Sequence, residues 1–269
     1  MRERVQGNPA LAAAVAARMR YAFPGELRCF GTVTSTMDAA REMLGEGVPG
    51  WSAALADAQT QGAGRLGRGF VSPAGEGVWT TLLFRPAAQV PDGLLTQAAG
   101  LAVCRAVEDL CGFSPRIKWP NDVILDNRKL CGILFRSVED AHGRGLLAGI
   151  GLNLSQRQFP PELAEKAVSL AMLGAAVPRE AAAAALYDRL FELISPQAEL
   201  KLPAGPLLCE LRARSCTLGR EVRVISGGQE WRGRAAELAA SGALLVETDA
   251  GQVEISSGEA SVRGLLGYL

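Results

Sequence analysis

The chain has 269 residues, which is long enough for one large catalytic domain with a small appended domain. Hydrophobic residues make up 48% of it, a share that supports a packed core and excludes a largely disordered protein. Lys plus Arg and Asp plus Glu each number 28, so the net charge is zero, and the excess of positive charge typical of proteins that mainly bind nucleic acid is absent.

The cysteines and the histidine exclude further classes of protein. None of the six cysteines forms a C-x-x-C pair, which favours a reduced, cytoplasmic chain over a secreted disulfide scaffold. The single histidine, His142, lies in a polar turn, where we expect a solvated loop residue, and most catalytic zinc sites need several histidines. No apolar run reaches the roughly 18 residues of a membrane-spanning helix. We therefore expect neither a zinc enzyme nor a membrane-bound segment.

The first 26 residues are predicted to form a helical extension. The segment 10–17 is rich in alanine and follows two arginines, which faintly resembles a signal peptide. Gly7 interrupts it, however, and Asn8 followed by Pro9 is typical of a helix start. We therefore expect a first helix capped by Asn8 rather than a secretion signal.

The next part of the chain contains both strands and helices. Apolar runs predict strands at 27–33, 52–56 and 78–84, and helical spacing predicts helices at 35–44, beginning at Ser35 or Thr36, and at 95–111. A meander of strands is predicted over 116–135, then a polar loop, a strand at 145–154, a helix at 179–194 and a proline-containing connection. Because the strands are apolar on both faces, we predict an α+β fold with a central mixed sheet flanked by helices.

The pattern changes after residue 215. Short strands separated by a glycine pair and an Asp-Ala-Gly turn predict a small β-barrel of about 50 residues. The predicted domain organisation is therefore a helical extension (1–26), a catalytic domain (27–212) and a small β-barrel domain (213–269).

A glycine-rich loop follows the second predicted strand. Residues 62–67, GAGRLG, spell G-x-G-x-x-G, the fingerprint of dinucleotide-binding folds. Such a fold needs a helix directly after the glycines, whereas Gly69, Pro73 and later glycines prevent one here, so the Rossmann interpretation is rejected. Two hypotheses stay open: a solvated surface loop, or a mobile loop that closes over an anion through Arg65 and Arg68.

The segment 116–135, RIKWPNDVILDNRKLCGILF, carries charges among apolar strands. Lys118 and Lys129 are either snorkelling lysines at hairpin ends or, together with Asp122, a cationic site that brings two anions together. Asn153 stands between two leucines and needs hydrogen-bond partners if it is buried. A purine edge or the backbone of a loop would serve.

Four segments, in this order and spacing, resemble the bacterial biotin–protein ligases: GTVTSTMDAA, QTQGAGRLGRGF, KWPNDVILDNRKLCGIL and GIGLN. The resemblance covers residues 27–269, and K-W-P-N-D followed by K-L-x-G-I-L is its most specific part. It implies an α+β catalytic domain with a small C-terminal SH3-like barrel. It also implies an enzyme, biotin–(acetyl-CoA-carboxylase) ligase, which converts biotin and ATP with Mg²⁺ into biotinyl-5′-AMP and pyrophosphate. The biotin would then pass to a lysine of a biotin carboxyl carrier domain.

The resemblance implies the site residues as well. The residues implied in biotin binding are Ser35, Thr36, Met37, Gln59, Gly62, Ala63, Gly64, Arg65 and Lys129. Those implied in binding ATP and the adenylate are Arg65, Arg68, Lys118, Asn121 and Asn153. The implied catalytic residues are Lys118, Asp122 and Arg65. Lys129 would meet the biotin carboxylate and Asp122 would orient or accept the proton of the acceptor lysine, whose ordinary pKa is about 10.4; no metal ligand is assigned.

Three positions depart from the pattern of the family. Ala63 stands in place of arginine, Phe70 in place of tryptophan and Met37 in place of asparagine. Only backbone contacts therefore carry over at Ala63, and the side-chain amide contact to biotin does not carry over at Met37.

Other functions are weighed against the ligase. Some relatives carry an N-terminal winged helix and act as repressors, but about 25 residues before the first strand are too few for such a domain, and we expect no DNA binding. A lipoate or octanoate ligase would share the fold but not K-W-P-N-D, and a non-catalytic biotin-binding module would keep the fold without the chemistry. The sequence is compatible with a homodimer, paired through an edge strand, and with a monomer.

Overall fold

The computed structural model describes residues 7–86, 92–141, 143–226, 229–256 and 261–264. The N-terminal extension contains helix α1 (Pro9–Ala16), and the Asn8 side chain accepts a hydrogen bond from the Leu11 backbone N–H at 3.1 Å. Pro9 occupies the first helical position, where its missing N–H costs no hydrogen bond. The predicted helix start is confirmed, whereas His142 and residues 1–6 lie outside the described residues.

Strands and helices mix along the large domain. In chain order they are β1 (Leu27–Val33), α2 (Thr36–Gly45), β2 (Ser52–Gln59), β3 (Gly77–Phe84), α3 (Asp92–Cys111), β4 (Arg116–Lys118), β5 (Asp122–Leu125), β6 (Arg128–Asp140), β7 (Gly143–Asn153), α4 (Arg179–Leu193) and α5 (Ala204–Arg214). The C-terminal strands are β8 (Glu221–Ser226), β9 (Gln229–Leu238), β10 (Leu244–Thr248), β11 (Gly251–Ile255) and β12 (Ser261–Gly264).

The strands of the large domain form one sheet in the order β1-β2-β3-β7-β6-β5-β4. β1 and β2 are parallel and connected through α2, as a parallel pair requires a crossover. Every other neighbouring pair is antiparallel. The predicted α+β fold with a central mixed sheet is confirmed.

Helices cover both faces of this sheet. Leu55 on β2 and Leu82 on β3 belong to the main core, which α3 and α4 complete. Ala54 and Leu83, one position away on the same strands, belong to a second core that α2 completes. This alternation follows from the two-residue period of a strand, and it explains why the strands are apolar on both faces.

The C-terminal strands form a separate antiparallel sheet in the order β11-β10-β9-β8-β12. Helix α5 joins it to the large domain through ion pairs on both sides. Arg105 Nε on α3 donates to Glu210 Oε1 at 3.1 Å, and Arg212 Nε donates to Glu237 Oε1 on β9 at 2.6 Å. The predicted small C-terminal β-domain is confirmed.

The sequence-based prediction is wrong at two places. Residues 136–140, expected in a polar loop, continue β6, because the pairing with β7 runs on to Asp140 opposite Gly143. The proline-containing connection holds the start of α5, which no pattern indicated. Pro206 lies in the first turn of this helix, where proline is tolerated, and burial of one face stabilises it. The buried residues of α5 are Leu207, Leu208 and Leu211.

The predicted boundary between residues 212 and 213 falls within α5, and the division into domains stays a prediction. Within the described part of the chain, no helix is both long and apolar enough to cross a membrane. The six cysteines are free thiols. Cys104 is fully buried, and burial raises the pKa of its thiol to about 12, which fits a small core residue rather than a reactive one.

Candidate active site

Next to α2, one part of the sheet face has no side chains. Gly149 and Gly151 occupy alternate positions on β7, and Gly132 on β6 pairs with Gly151. A β-carbon at Gly149 would lie 2.9 Å from Met37 Cε, and one at Gly132 would lie 3.0 Å from Lys129 Nζ. These three glycines form the floor of a cavity, because only glycine leaves room for the side chains that lie above the sheet.

The N-terminus of α2 forms one wall of this cavity. Ser35 caps the helix, since its Oγ accepts a hydrogen bond from the Met37 N–H at 3.1 Å. Gln59 Oε1 accepts from the backbone N–H of Thr36 at 2.9 Å and from its hydroxyl at 3.1 Å. Gln59 Nε2 donates to Ser72 Oγ at 2.8 Å. The residues expected to bind the ring of a ligand are therefore brought together and held by the protein's own hydrogen bonds.

This cavity, called the small cavity below, has a volume of about 50 Å³. Met37 is 5% exposed, and its methyl end lies over Gly149, so it narrows the cavity. Eight of the residues implied in biotin binding line the small cavity: Ser35, Thr36, Met37, Gln59, Ala63, Gly64, Arg65 and Lys129. Gly62 is not among the lining residues; its carbonyl accepts from the Phe70 N–H at 2.7 Å, and a β-carbon there would collide with the Phe70 carbonyl.

The glycine-rich loop is folded against the sheet. Ala63 and Gly69 form an isolated antiparallel bridge, and the Gly64 N–H donates to the Arg68 carbonyl at 2.7 Å. Between them lies a short 3-10 turn (Arg65–Gly67), which ends at a positive φ of 70° at Gly67. The chain then runs to β3 without an α-helix, which confirms the rejection of a dinucleotide-binding fold.

Phe70 separates the small cavity from a larger one. Its ring lies over Gly151, where a β-carbon would be 2.8 Å from Phe70 Cζ, and it meets Trp79 in a T-shaped contact with centroids 5.8 Å apart. Lys129 Nζ lies 5.8 Å from the Phe70 ring centroid. Phe70 and Lys129 line both cavities, so the boundary between the cavities runs past these two side chains.

The large cavity has a volume of about 540 Å³. Its cationic lining residues are Arg65, Arg68, Lys118, Lys129 and Lys166, and its acidic ones are Asp122 and Glu162. All residues implied in ATP binding line it, namely Arg65, Arg68, Lys118, Asn121 and Asn153. The excess of positive charge favours a polyanionic ligand.

Arg65 connects the glycine-rich loop to the sheet. Its Nη1 donates to Asn121 Oδ1 at 3.0 Å, and Asn121 Nδ2 donates to the Ile133 carbonyl at 2.9 Å. Burial lowers the pKa of the Arg65 guanidinium, while the nearby Asp122 carboxylate opposes the shift. An arginine held in this way fits the anion-binding hypothesis better than that of a solvated surface loop.

Asp122 lies between two lysines. It stands opposite Lys118 in the pairing of β4 with β5, and its Oδ1 is 2.6 Å from Lys129 Nζ. Lys118 is 8% exposed. Because both lysines line the large cavity, the cationic site predicted from the sequence describes them better than snorkelling at hairpin ends.

Asn153 is buried, and its amide binds to the protein itself. Asn153 Nδ2 donates to the Val168 carbonyl at 3.1 Å, and its Oδ1 accepts from Gln156 Nε2 at 3.1 Å. The Val168 N–H donates in turn to the Lys129 carbonyl at 3.0 Å. A loop backbone, one of the two partners considered from the sequence, is therefore bound by Asn153, and the network connects Asn153 to Lys129 through Val168.

The C-terminal domain holds the backbone next to Lys118. The Gly242 carbonyl accepts hydrogen bonds from Trp119 Nε1 at 3.0 Å and from Gln97 Nε2 at 2.6 Å. The Trp119 N–H donates to Thr217 Oγ1 at 2.9 Å. Gly242 has a φ of 80°, which strongly favours glycine in this turn.

Sequence reasoning missed two parts of the large cavity. Val262 on β12 lines it, and so do Phe159, Leu163 and Lys166. The segment around 159–167 carries no motif. Val262 lies far along the chain from every other lining residue, the nearest of which is Ala167, so no local pattern could have placed either part. The hydrogen bonds of Gln97 were missed for the same reason.

Comparison with protein families agrees with this arrangement. The model of the Biotin/lipoate A/B protein ligase family matches residues 30–153, and that of the Biotin protein ligase C terminal domain matches residues 217–263. Fold and site therefore define a member of the biotin and lipoate ligase class.

Comparison with individual proteins shows which family within this class the chain belongs to. A biotin–(acetyl-CoA-carboxylase) ligase of Mycobacterium tuberculosis is 35% identical over 213 residues, which cover 76% of this chain and 76% of the relative. The bifunctional ligase/repressor BirA of Bacillus subtilis is 37% identical over 144 residues, 51% of this chain but only 44% of the relative's length. The structure of the biotin protein ligase from Aquifex aeolicus in complex with biotin and ATP has a TM-score of 0.79 and 29% identity, covering 89% of this chain and 99% of that one. The chain belongs to the biotin protein ligases.

Proposed function

We propose that this protein is an ATP-dependent biotin–protein ligase, which forms biotinyl-5′-AMP and transfers biotin to a lysine of a biotin carboxyl carrier domain. The observation that carries the proposal is that the small and large cavities adjoin and share Arg65 and Lys129. A reaction between a carboxylate and a triphosphate needs two ligand sites that meet at fixed positive charge.

Biotin would occupy the small cavity. The ureido ring has several polar atoms that need partners, and Ser35, Thr36 and Gln59 provide hydroxyl and amide groups in a fixed arrangement. At about 50 Å³ the cavity must widen for the ring, and the flexible side chain of Met37 over Gly149 is the part of the wall best able to move. The valeryl chain would then run past Phe70 to place the carboxylate at Lys129.

ATP would occupy the large cavity. Lys118, Arg65 and Arg68 would hold phosphate oxygens. Asn121 and Asn153 line the same cavity and would lie near the nucleoside. A carboxylate is repelled by a triphosphate, so these cations would let the biotin carboxylate oxygen attack the α-phosphorus and pyrophosphate leave.

Amide formation completes the reaction. The amine of the carrier lysine would attack the acyl carbon of biotinyl-5′-AMP, and AMP would leave with the electron pair of the broken C–O bond. The amine must lose its protons on the way, and Asp122 is the carboxylate beside Lys118 and Lys129 that would orient or accept one.

Mg²⁺ fits this site as an ion that arrives with ATP. The described residues contain no group of three or more His, Cys, Asp or Glu that could hold a metal on its own. Mg²⁺ normally needs only one or two carboxylates when substrate phosphates and water supply its other ligands. Phosphate oxygens and water would hold the ion, and the ion would neutralise phosphate charge.

Pyrophosphate exchange tests the proposal. Exchange of labelled pyrophosphate into ATP is measured in parallel with biotin, lipoate and octanoate. Exchange with biotin alone supports the ligase, exchange with lipoate or octanoate supports the lipoate-type alternative, and biotin binding without exchange supports a non-catalytic module. A streptavidin blot after incubation with ATP and a biotin carboxyl carrier domain then tests the transfer step.

Location and assembly belong to the same proposal. We expect the protein to act in the cytoplasm, where thiols stay reduced, because its six cysteines are free. Both a monomer and a homodimer paired through an edge strand of the sheet are compatible with the fold, and sedimentation with and without biotin and ATP distinguishes them.

A further inference from the structure

The ion pair between Asp122 and Lys129 has a consequence for ligand binding. Lys129 Nζ lies 2.6 Å from Asp122 Oδ1, and the two side chains are 27% and 17% exposed, so water screens the pair only in part. Asp122 also faces Lys118 across the β4–β5 pairing, and its charge acts on Arg65. One carboxylate therefore offsets the repulsion among three cations gathered at one place.

The position of Lys129 allows the Asp122 carboxylate and the substrate carboxylate to compete for the same ammonium group. Lys129 lines both cavities, whereas Asp122 lines only the large one. A ligand whose ring occupies the small cavity must bring its acid group to the boundary, which is where the Lys129 ammonium lies. The ammonium would then have one carboxylate on either side of it.

We propose that Asp122 competes with the substrate carboxylate for Lys129. The Asp122 carboxylate thereby lowers the affinity of the protein for biotin. The proposal rests on biotin as the ligand of the small cavity. Binding of the substrate acid would shift the ammonium away from Asp122, and the energy of the existing ion pair would be subtracted from that of the new one. Asp122 would stabilise the gathered cations when the site is empty and would be released for proton transfer when the site is filled.

The competition has a specific signature. Asp122→Asn keeps the shape of the side chain but removes its charge, so biotin should bind about threefold to tenfold more tightly to the variant. Biotinol, in which an alcohol replaces the carboxylate, should bind equally to both proteins. Transfer to the carrier lysine should be slower in the variant, because the proton acceptor is lost. Tighter substrate binding combined with slower transfer is not expected from mere damage to the fold.

A matched control distinguishes direct competition for Lys129 from an effect of the overall electrostatic potential in the cavity. Glu162 also lines the large cavity and is exposed, but the Lys129 ion pair does not involve it. Glu162→Gln removes the same unit of charge, and biotin affinity should stay within twofold of the wild-type value because exposed charges are screened. Titration calorimetry with biotin and biotinol, without ATP or Mg²⁺, measures all these affinities. Asp122→Ser serves as a second variant if Asp122→Asn does not fold.

The outcomes are distinct. Equal or weaker biotin binding by the Asp122 variants overturns the competition, and so does tightening that biotinol or Glu162→Gln shares. These results leave the ligase assignment intact. If the wild-type protein binds neither biotin nor biotinol, the proposed function itself fails, and the competition fails with it.

Discussion

The two cavities differ in how their polarity is built. The small cavity has neutral hydroxyl and amide groups that already bond to one another, a floor of bare backbone and a volume of about 50 Å³. The large cavity has a volume of about 540 Å³, and most of its charged lining residues are lysine or arginine. Neutral groups select a ligand by shape and hydrogen bonding, whereas cations select by charge and can stabilise a charged transition state. The difference predicts that changes in the two cavities affect separate steps.

The largest effect is expected from Lys118→Met. The loss of this buried cation from the large cavity should slow biotinyl-5′-AMP formation by about 100-fold to 1000-fold, as for other groups that stabilise transition-state charge. Biotin affinity should change less than about threefold, because Lys118 does not line the small cavity. Single-turnover kinetics and calorimetry measure the two quantities. Lys201→Met, which removes a cation stacked on Phe191, is the control, and equal slowing of both variants would contradict the division of roles.

A smaller effect is expected from Gln59→Leu, and it should fall on biotin binding rather than on the formation of biotinyl-5′-AMP. The variant leaves the Thr36 N–H without its acceptor and Ser72 without its donor, which costs about 1–3 kcal/mol. Biotin affinity should fall by roughly tenfold to 100-fold, while the affinity for ATP should hardly change. Calorimetry with each ligand checks this, after circular dichroism has established that the variant is folded. Loss of ATP affinity with biotin affinity retained would reverse the proposed assignment of the cavities.

The smallest effect is expected from Trp119→Phe. The variant keeps the aromatic ring but loses the N–H that binds the Gly242 carbonyl, so unfolding free energy should fall by about 1 kcal/mol. Because Trp119 adjoins Lys118, KM for ATP should rise by roughly threefold, with KM for biotin unchanged. Trp51→Phe is the matched control, since Trp51 Nε1 also donates to a backbone carbonyl, that of Ile194, but does not line either cavity. If both variants lose stability equally and neither changes KM for ATP, the C-terminal domain has no positioning role at Lys118.

Much of the sheet could be predicted from the sequence because its signals are local. The strand at 27–33 and the helix capped by Ser35 depend on apolar spacing and on one capping side chain, and the structure confirms both. Helix α5 escaped prediction because Pro203 and Pro206 look like helix breakers, although a proline in the first turn of a helix costs little. Its stability comes instead from contacts with α3 and β9, which no local pattern shows.

The site was predictable only in part, because some of its contacts join residues that are far apart in the chain. Motifs placed Lys118, Asp122 and Lys129 on neighbouring hairpins, and the structure brings them together. The motif could not show that Gly62 serves the packing of the loop rather than lining a cavity. The contact of Trp119 with Gly242 spans 123 positions along the chain, so it exists only once both domains have folded.

The residues that line the large cavity are spread along the chain from Gly64 to Val262. During synthesis on the ribosome, therefore, a nascent chain can complete the sheet and the small cavity long before the strand that carries Val262 has been made. Such a chain would contain every residue of the small cavity but not all of those of the large one. Folding of the C-terminal sheet, in addition to folding of the large sheet, is therefore needed to complete the large cavity.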